Sequence, residues 1–161
     1  MSAMQLEFKI YTFGSVQDFA LKLQNAADIG PFKIEQAIQE AAEIYYNELF
    51  NLIEVGHSSW PPLSSAWVDQ KIRKGGRSGF YRFQDEFISS IKMEWIDNSQ
   101  SRKAMFVGVQ SDTPHSGGIT AGDLAIVLEE KYNRPLFDPA YQRVKDDIKK
   151  HLENIAAELI E

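Results

Sequence analysis

The strongest constraint on the fold is an apolar stripe near the C-terminal end of the chain. Its spacing of three and four residues is the period of one face of an α-helix. Asp138 is expected to cap this helix, and Pro139 to occupy its first turn. Burial contributes roughly 1.5–3 kcal/mol per large apolar side chain, but ordering the backbone costs about 1–2 kcal/mol per residue, so the helix needs a packing partner. The stripe consists of Tyr141, Val144, Ile148, Leu152, Ile155 and Leu159.

A second stripe predicts that partner, a long amphipathic helix in the N-terminal half of the chain. Gly30-Pro31 precedes the stripe, with proline where the first turn needs no amide donor, and Gly56 is expected to end the helix. We expect the two helices to lie side by side against a sheet. The members of the second stripe are Ile34, Ile38, Ala41, Tyr45, Leu49 and Leu52.

A β-hairpin is predicted between the two helices. Lys92–Ile96 forms its first strand, the polar turn 97–101 follows, and the chain returns over Lys103–Gln110. Leu6–Tyr11 alternates apolar and polar side chains, as a half-buried strand does, and residues 15–23 suit a short helix. The sequence therefore predicts a single α+β domain over residues 1–161. Its small antiparallel sheet, with the central hairpin, packs against the long helix and the C-terminal amphipathic helix.

Two further loops are expected. Residues 111–118 form one of them, and Thr120 with Asp123 then has the spacing of a capping box for another short helix. The other is a long basic loop at about 56–83, built around a short helix from Ser65 to Lys74.

The basic loop is the one strong compositional signal. Segment 71–82 carries five cations and no carboxylate, although the whole chain has a net charge of −6. Because the remainder is acidic, the chain as a whole is not expected to coat DNA or an anionic membrane. The loop cannot bury its cationic and aromatic side chains internally, so we expect them to contact other subunits. These protein-interaction residues are Arg73, Lys74, Arg77, Phe80, Tyr81 and Arg82.

No catalytic, cofactor-binding or metal-binding site is predicted. The chain has no cysteine, no Gly-x-Ser-x-Gly elbow and no Gly-Lys-Ser/Thr ending to its glycine-rich loop. Asp147 and His151 lie one helical turn apart, but two ligands alone make a poor metal site. We therefore expect a protein that is not an enzyme and needs no cofactor. The first residues lack the pattern of a signal peptide, and no aliphatic run approaches bilayer length, so no membrane contact is expected.

Two segments carry motifs. Trp60-Pro61-Pro62-Leu63-Ser64 is followed by Lys71 and by the stretch 83–91, and residues 128–140 lead into the last predicted helix. Together they resemble the virion-morphogenesis or tail-completion family of tailed bacteriophages, with its W-x-P-L-S, T-G-x-L-x-x-S-I and E-x-G … R-P-F-L-x-P-A patterns. Asp85 replaces the usual glycine, Phe87 replaces the leucine, and the glycine after the glutamate is absent. The matching positions, expected to be scaffold residues, are Trp60, Pro62, Leu63, Ser64, Ser90, Ile91, Arg134, Pro135, Pro139 and Ala140.

The resemblance implies a structural role at the head–tail junction, or neck, of a virion. Such subunits form homo-oligomeric rings, here with six copies expected. They complete or cap the tail and contact neck, connector or tail proteins, after assembly in the host cytoplasm. Two alternatives remain. One is a nucleic-acid-binding accessory protein that uses loop 71–83, whose aromatic residues could stack bases. The other is a small hydrolase with an unrecognised site.

Overall fold

The computed structural model describes residues 30–76, 79, 86–99, 103–115 and 118–160, and shows an α+β protein. The predicted strand Leu6–Tyr11 and the short helix at 15–23 lie outside the described residues. The elements in chain order are α1 (Gly30–Val55), α2 (Ser65–Arg73), α3 (Glu86–Ser89), β1 (Ile91–Asn98), β2 (Lys103–Val109), β3 (Pro114–His115), β4 (Ile119–Thr120), α4 (Ala121–Ile126), a π-helical turn (Val127–Lys131) and α5 (Phe137–Ile160).

Helix α1 is the centre of the molecule, because it packs against the β1–β2 hairpin and against α5. Four residues of its predicted stripe are buried, and Ile34 and Ile38 are half-buried. Ala37, Ala42 and Ile53 are buried as well, so the apolar face is wider than the predicted stripe. A helix with packing partners on two sides needs this wider face. Gly56 ends α1 as predicted, with a left-handed φ of 77° and its amide bonded to Leu52 O at 2.8 Å.

The predicted hairpin is confirmed as an antiparallel pair, β1 with β2. Side chains alternate along β1, so every second residue contributes to the core. Three cross-strand pairs form this inner face: Ile91 with Val109, Met93 with Val107, and Trp95 with Met105. The register shifts between Trp95 and Asp97, which leaves Ile96 half exposed at the irregularity.

Helix α5 confirms the predicted C-terminal helix, but it begins at Phe137, two residues before the expected first residue Pro139. Val144 and Ile148 of the stripe are buried, while Tyr141, Leu152 and Ile155 are partly buried. The side chain of Leu159 lies outside the described part of the structure. The prediction that Asp138 caps the helix is wrong. Asp138 lies inside the first turn, where its carboxylate accepts a hydrogen bond from the side chain of Gln142 at 3.3 Å.

The segment between the hairpin and α5 is more regular than predicted. Within the predicted loop 111–118, Pro114–His115 pairs with Ile119–Thr120 as a small antiparallel ladder. The capping box predicted at the start of α4 is confirmed: Thr120 Oγ1 accepts from the amide of Asp123, and the carboxylate of Asp123 accepts from the amide of Thr120. Among the described residues, no helix combines the length and the hydropathy needed to span a bilayer.

Candidate interaction surface

The two motif segments, far apart in the sequence, bind each other directly. The indole N–H of Trp60 donates to Pro135 O at 2.8 Å, across 75 residues of sequence. In return, Arg134 donates to Pro61 O from Nε at 3.2 Å and from Nη2 at 3.1 Å. Each segment therefore supplies a side-chain donor to a backbone carbonyl of the other. We call Trp60, Pro61, Arg134 and Pro135 the clamp.

The clamp fixes one end of helix α2. Pro62 is exposed and Leu63 half-buried, and Ser64 follows as the N-cap of α2, where its hydroxyl accepts from the amide of Trp67 at 3.2 Å. The predicted short helix is thus present, and it ends at Arg73 with Lys74 as its C-cap.

The remaining motif residues belong to the core or border it. Ser90 is fully buried: its hydroxyl donates to Phe87 O, and its carbonyl accepts from the amide of Gln110 at 2.9 Å. Ile91 and Ala140 are buried, and Pro139 is half-buried in the first turn of α5. These side chains hold the scaffold in place.

Lys71 is the one buried residue of α2. Its ammonium donates to Gly79 O at 2.8 Å, which ties the helix to the basic loop. Burial, with a smaller effect from the nearby Arg134 guanidinium, lowers the pKa of Lys71. The lysine and the clamp arginine therefore lie close to each other at the base of this loop.

The rest of α2 is presented to solvent. Trp67 is 47% exposed and Ile72 is 55% exposed, while Arg73 and Lys74 are also on the surface. A nine-residue helix gains little from its own hydrogen bonds, and most helical stability in proteins comes from packing an apolar face. The described structure therefore leaves two large apolar side chains of α2 in solvent.

Tyr132 extends this surface from the other side of the clamp. Its ring is 45% exposed and lies 5.6 Å from Lys131 Nζ and 5.8 Å from the Arg134 guanidinium. Because Arg134 also binds Pro61 O, Tyr132 and the proline turn belong to the same part of the molecule. We use the name corner for the exposed residues of α2, of the proline turn and of the segment around Tyr132, taken together. Its exposed residues are Pro61, Pro62, Trp67, Ile72, Arg73, Lys74, Lys131 and Tyr132.

The corner contains two of the six predicted protein-interaction residues, Arg73 and Lys74. The other four, Arg77, Phe80, Tyr81 and Arg82, lie outside the described residues. The other six members of the corner were absent from that prediction: Pro61, Pro62, Trp67, Ile72, Lys131 and Tyr132. The corner therefore combines exposed aromatic, apolar and cationic side chains.

A second set of polar groups that the sequence analysis missed lies where α5 begins. The Glu129 carboxylate, on the π-helical turn, accepts from the amide of Leu136 at 3.5 Å, and the amide of Phe137 is a further donor. Burial raises the pKa of Glu129, although these two amides act in the opposite direction. Tyr45 donates to Phe137 O at 3.1 Å, and burial, followed by the Glu129 and Asp138 charges, raises the pKa of Tyr45.

Glu129, rather than Asp138, therefore occupies the capping position at the start of α5. A carboxylate at this place satisfies free amides and interacts favourably with the helix dipole. Because Glu129 reaches α5 from a different element, only the tertiary structure reveals its role.

The three histidines lie apart: His115 and His151 each lie beside a glutamate, and His57 contacts the hydroxyl of Ser59. His115 Nε2 lies 3.2 Å from a Glu86 carboxylate oxygen, and His151 Nε2 lies 3.1 Å from one of Glu40, while Asp147 is exposed. Within the described ranges, no three His, Cys, Asp or Glu side chains come together as metal ligands do. In comparisons with known proteins, no family model, curated protein or solved structure matches this chain.

Proposed function

We propose that the chain is a structural subunit of the phage head–tail junction that acts by docking its corner onto neighbouring protein subunits. The subunits form a ring of identical copies, six in number, which contacts neck, connector or tail proteins and completes the tail. In this function the chain belongs to the virion and performs no chemical reaction. Direct contact with DNA is secondary, and no membrane is involved.

The observation that carries the proposal is the exposed corner supported by the clamp. The clamp joins the two segments on which the family resemblance rests, so those residues have a shared structural purpose. Trp67 and Tyr132 are both exposed, and the ring of Tyr132 lies beside Lys131 and Arg134. Burying a large apolar side chain stabilises by roughly 1.5–3 kcal/mol, and a partner surface that covers the corner provides this stabilisation.

The charges of the corner indicate which kind of partner surface it binds. The corner carries Arg73, Lys74 and Lys131, with the guanidinium of Arg134 beside them, in a chain of net charge −6. An acidic protein surface is therefore the expected partner, because complementary charges accelerate encounter and select the correct neighbour.

One observation favours a second candidate, a nucleic-acid-binding accessory protein. Trp67 and Tyr132 could stack bases while Arg73 and Lys74 contact phosphates. The acidic remainder of the chain opposes this function, since it repels a polyanion. One measurement distinguishes the two functions, the affinity of the isolated protein for DNA at different salt concentrations. Binding that weakens steeply as salt is added supports the nucleic-acid-binding function.

The first candidate is tested in the phage or prophage that encodes the chain. Deleting the gene should yield filled heads and separate tails, and the wild-type gene supplied in trans should restore joined particles. A corner variant, Trp67→Ala with Arg73→Glu, should be incorporated poorly and should fail to restore them. Lys149→Glu with Lys150→Glu changes two exposed cations of α5, and this control should complement. Normal virions from the deletion strain would refute the proposal.

A further inference from the structure

Helix α1 carries an exposed stripe on the side away from the core. Successive members are separated by four or three residues, so they share one face of the helix. Phe32 at its N-terminal end is 69% exposed, which is unusual for a phenylalanine. The stripe consists of Phe32, Gln36, Gln39, Glu43 and Asn47, all exposed except the half-buried Glu43.

The one charged member of this stripe is Glu43, whose carboxylate is opposite in charge to the cations of the corner. From Ile34 to Val55, α1 contains five glutamates and neither lysine nor arginine. Glu35 pairs with Lys103 and Glu48 pairs with Arg143, while Glu40 lies beside His151. Glu43 instead accepts from Gln39 at 3.2 Å, which leaves its negative charge uncompensated on the exposed face.

The stripe and the corner lie at different places on the molecule. Glu43 is twelve residues before the end of α1, which corresponds to about 18 Å at the rise of an α-helix. The corner begins just beyond that end, at Pro61. One copy therefore presents exposed cations and aromatic rings at the corner and, at a distance from them, a polar stripe with one carboxylate and an exposed phenylalanine.

We propose that the corner of one copy docks onto the exposed α1 stripe of a second copy. Arg73 and Lys74 approach Glu43 and the amide side chains, and the exposed rings of the corner cover Phe32. The contact joins two different surfaces, so it is heterologous, and repeating it around an axis closes a ring. This inference rests on the proposed function and names the surface that receives the corner within the ring.

Two charge-reversal variants test the pairing by sedimentation velocity. The first, Arg73→Glu with Lys74→Glu, reverses the corner; the second, Gln39→Lys with Glu43→Lys, reverses the stripe. Each variant alone should associate with itself roughly a hundredfold more weakly than the wild type, because like charges then face each other. An equimolar mixture should regain association, since every contact in it can again join opposite charges. Lys149→Glu with Lys150→Glu is the matched control and should associate like the wild type.

Circular dichroism and urea denaturation establish that each variant is folded, and restored association in the mixture demonstrates it independently. Self-association of either variant at wild-type strength overturns the pairing, as does a mixture that remains dissociated. A wild-type chain that stays monomeric at all accessible concentrations also overturns it. That last result leaves the proposed function standing, because restoration of joined particles by complementation tests the function separately.

Discussion

At the scale of single residues, Glu129 shows how one buried carboxylate organises the start of a helix. Its charge is partly desolvated, yet it accepts from the amides that open α5. The two effects oppose each other, and desolvation dominates, so the pKa of Glu129 is raised. The same carboxylate contributes to the raised pKa of Tyr45, whose hydroxyl bonds to Phe137 O.

The raised pKa gives Glu129→Gln a pH signature. The native state holds the Glu129 proton more tightly than the unfolded chain, whose pKa is near 4.5. This contribution to the free energy of unfolding is fully present below about pH 4.5 and is lost as pH rises through the folded-state pKa. The stability advantage of the wild type over Glu129→Gln should therefore be larger at about pH 4 than at about pH 7. Urea denaturation of both proteins at the two pH values measures this difference in the free energy of unfolding. A difference that does not change with pH would contradict a raised pKa of Glu129.

The Tyr45 hydroxyl permits a second prediction at this scale. Tyr45→Phe removes the hydrogen bond to Phe137 O and leaves the aromatic ring in the core. The carbonyl lies in the first turn of a helix and retains its intrahelical partner, so we expect a loss of about 0.5–1.5 kcal/mol in the free energy of unfolding. Tyr46→Phe, on a half-buried ring of the same helix, is the control and should change stability less. Equal losses in the two variants would show that the hydrogen bond contributes nothing specific.

At the scale of elements, the clamp determines where α2 lies, and its contribution can be measured. Trp60→Phe keeps a large ring in the buried position but removes the donor to Pro135 O. The loss of this bond should cost about 0.5–1.5 kcal/mol, and the repacking of a smaller ring adds to that cost. Trp67→Phe, at an exposed position, should change the free energy of unfolding by no more than about 0.5 kcal/mol. Urea denaturation compares the two, and the reverse order would contradict the clamp.

Gly122 tests the packing of α4 against the preceding segment. A Cβ atom at Gly122 would lie 2.9 Å from both Cα and O of Ser111. These are backbone atoms, which cannot relieve the clash by a change of rotamer. Gly122→Ala should therefore lower the free energy of unfolding by about 1–3 kcal/mol. At Gly108 the nearest atom is instead the end of the Phe106 ring, which can move. Gly108→Ala should consequently cost less in the same denaturation experiment.

The sequence predicted the elements better than their contacts. Periodic apolar residues identify α1 and α5, because each helix must bury one face. The burial of Ala37 and Ala42 was not predicted, because the stripe followed a single row of three- and four-residue steps and α1 buries a wider face. The helix cap was assigned to Asp138, because the local pattern could not reveal that Glu129 arrives from another element.

The candidate site was predicted in the same partial way. The resemblance selected Trp60, Arg134 and Pro135, but no local pattern shows that residues 75 apart bind each other. Composition identified Arg73 and Lys74 as exposed cations. It did not identify Trp67 as exposed, because a tryptophan on a short helix is ordinarily assumed to face a core.

At the scale of the whole molecule, helix α1 connects the corner and the exposed stripe. It packs against the hairpin and α5 on its buried face, carries the stripe with Glu43 on the other face, and ends five residues before Trp60 of the clamp. Reversal of the charges of Arg73 and Lys74 should leave the free energy of unfolding within about 0.5 kcal/mol of the wild type, because both side chains are exposed. This variant should lose affinity only for other copies of the chain, while its stability stays near that of the wild type.

Hydrogen exchange of the chain, alone and in assembled particles, tests most directly whether the corner is a docking surface. In the isolated chain the amides of α2 should exchange rapidly, since the helix buries little apolar surface. In the assembly, exchange in α2 and around Tyr132 should slow markedly, while the exposed face of α5 should change little. Unchanged exchange in α2, with new protection confined to other surfaces, would contradict the central claim.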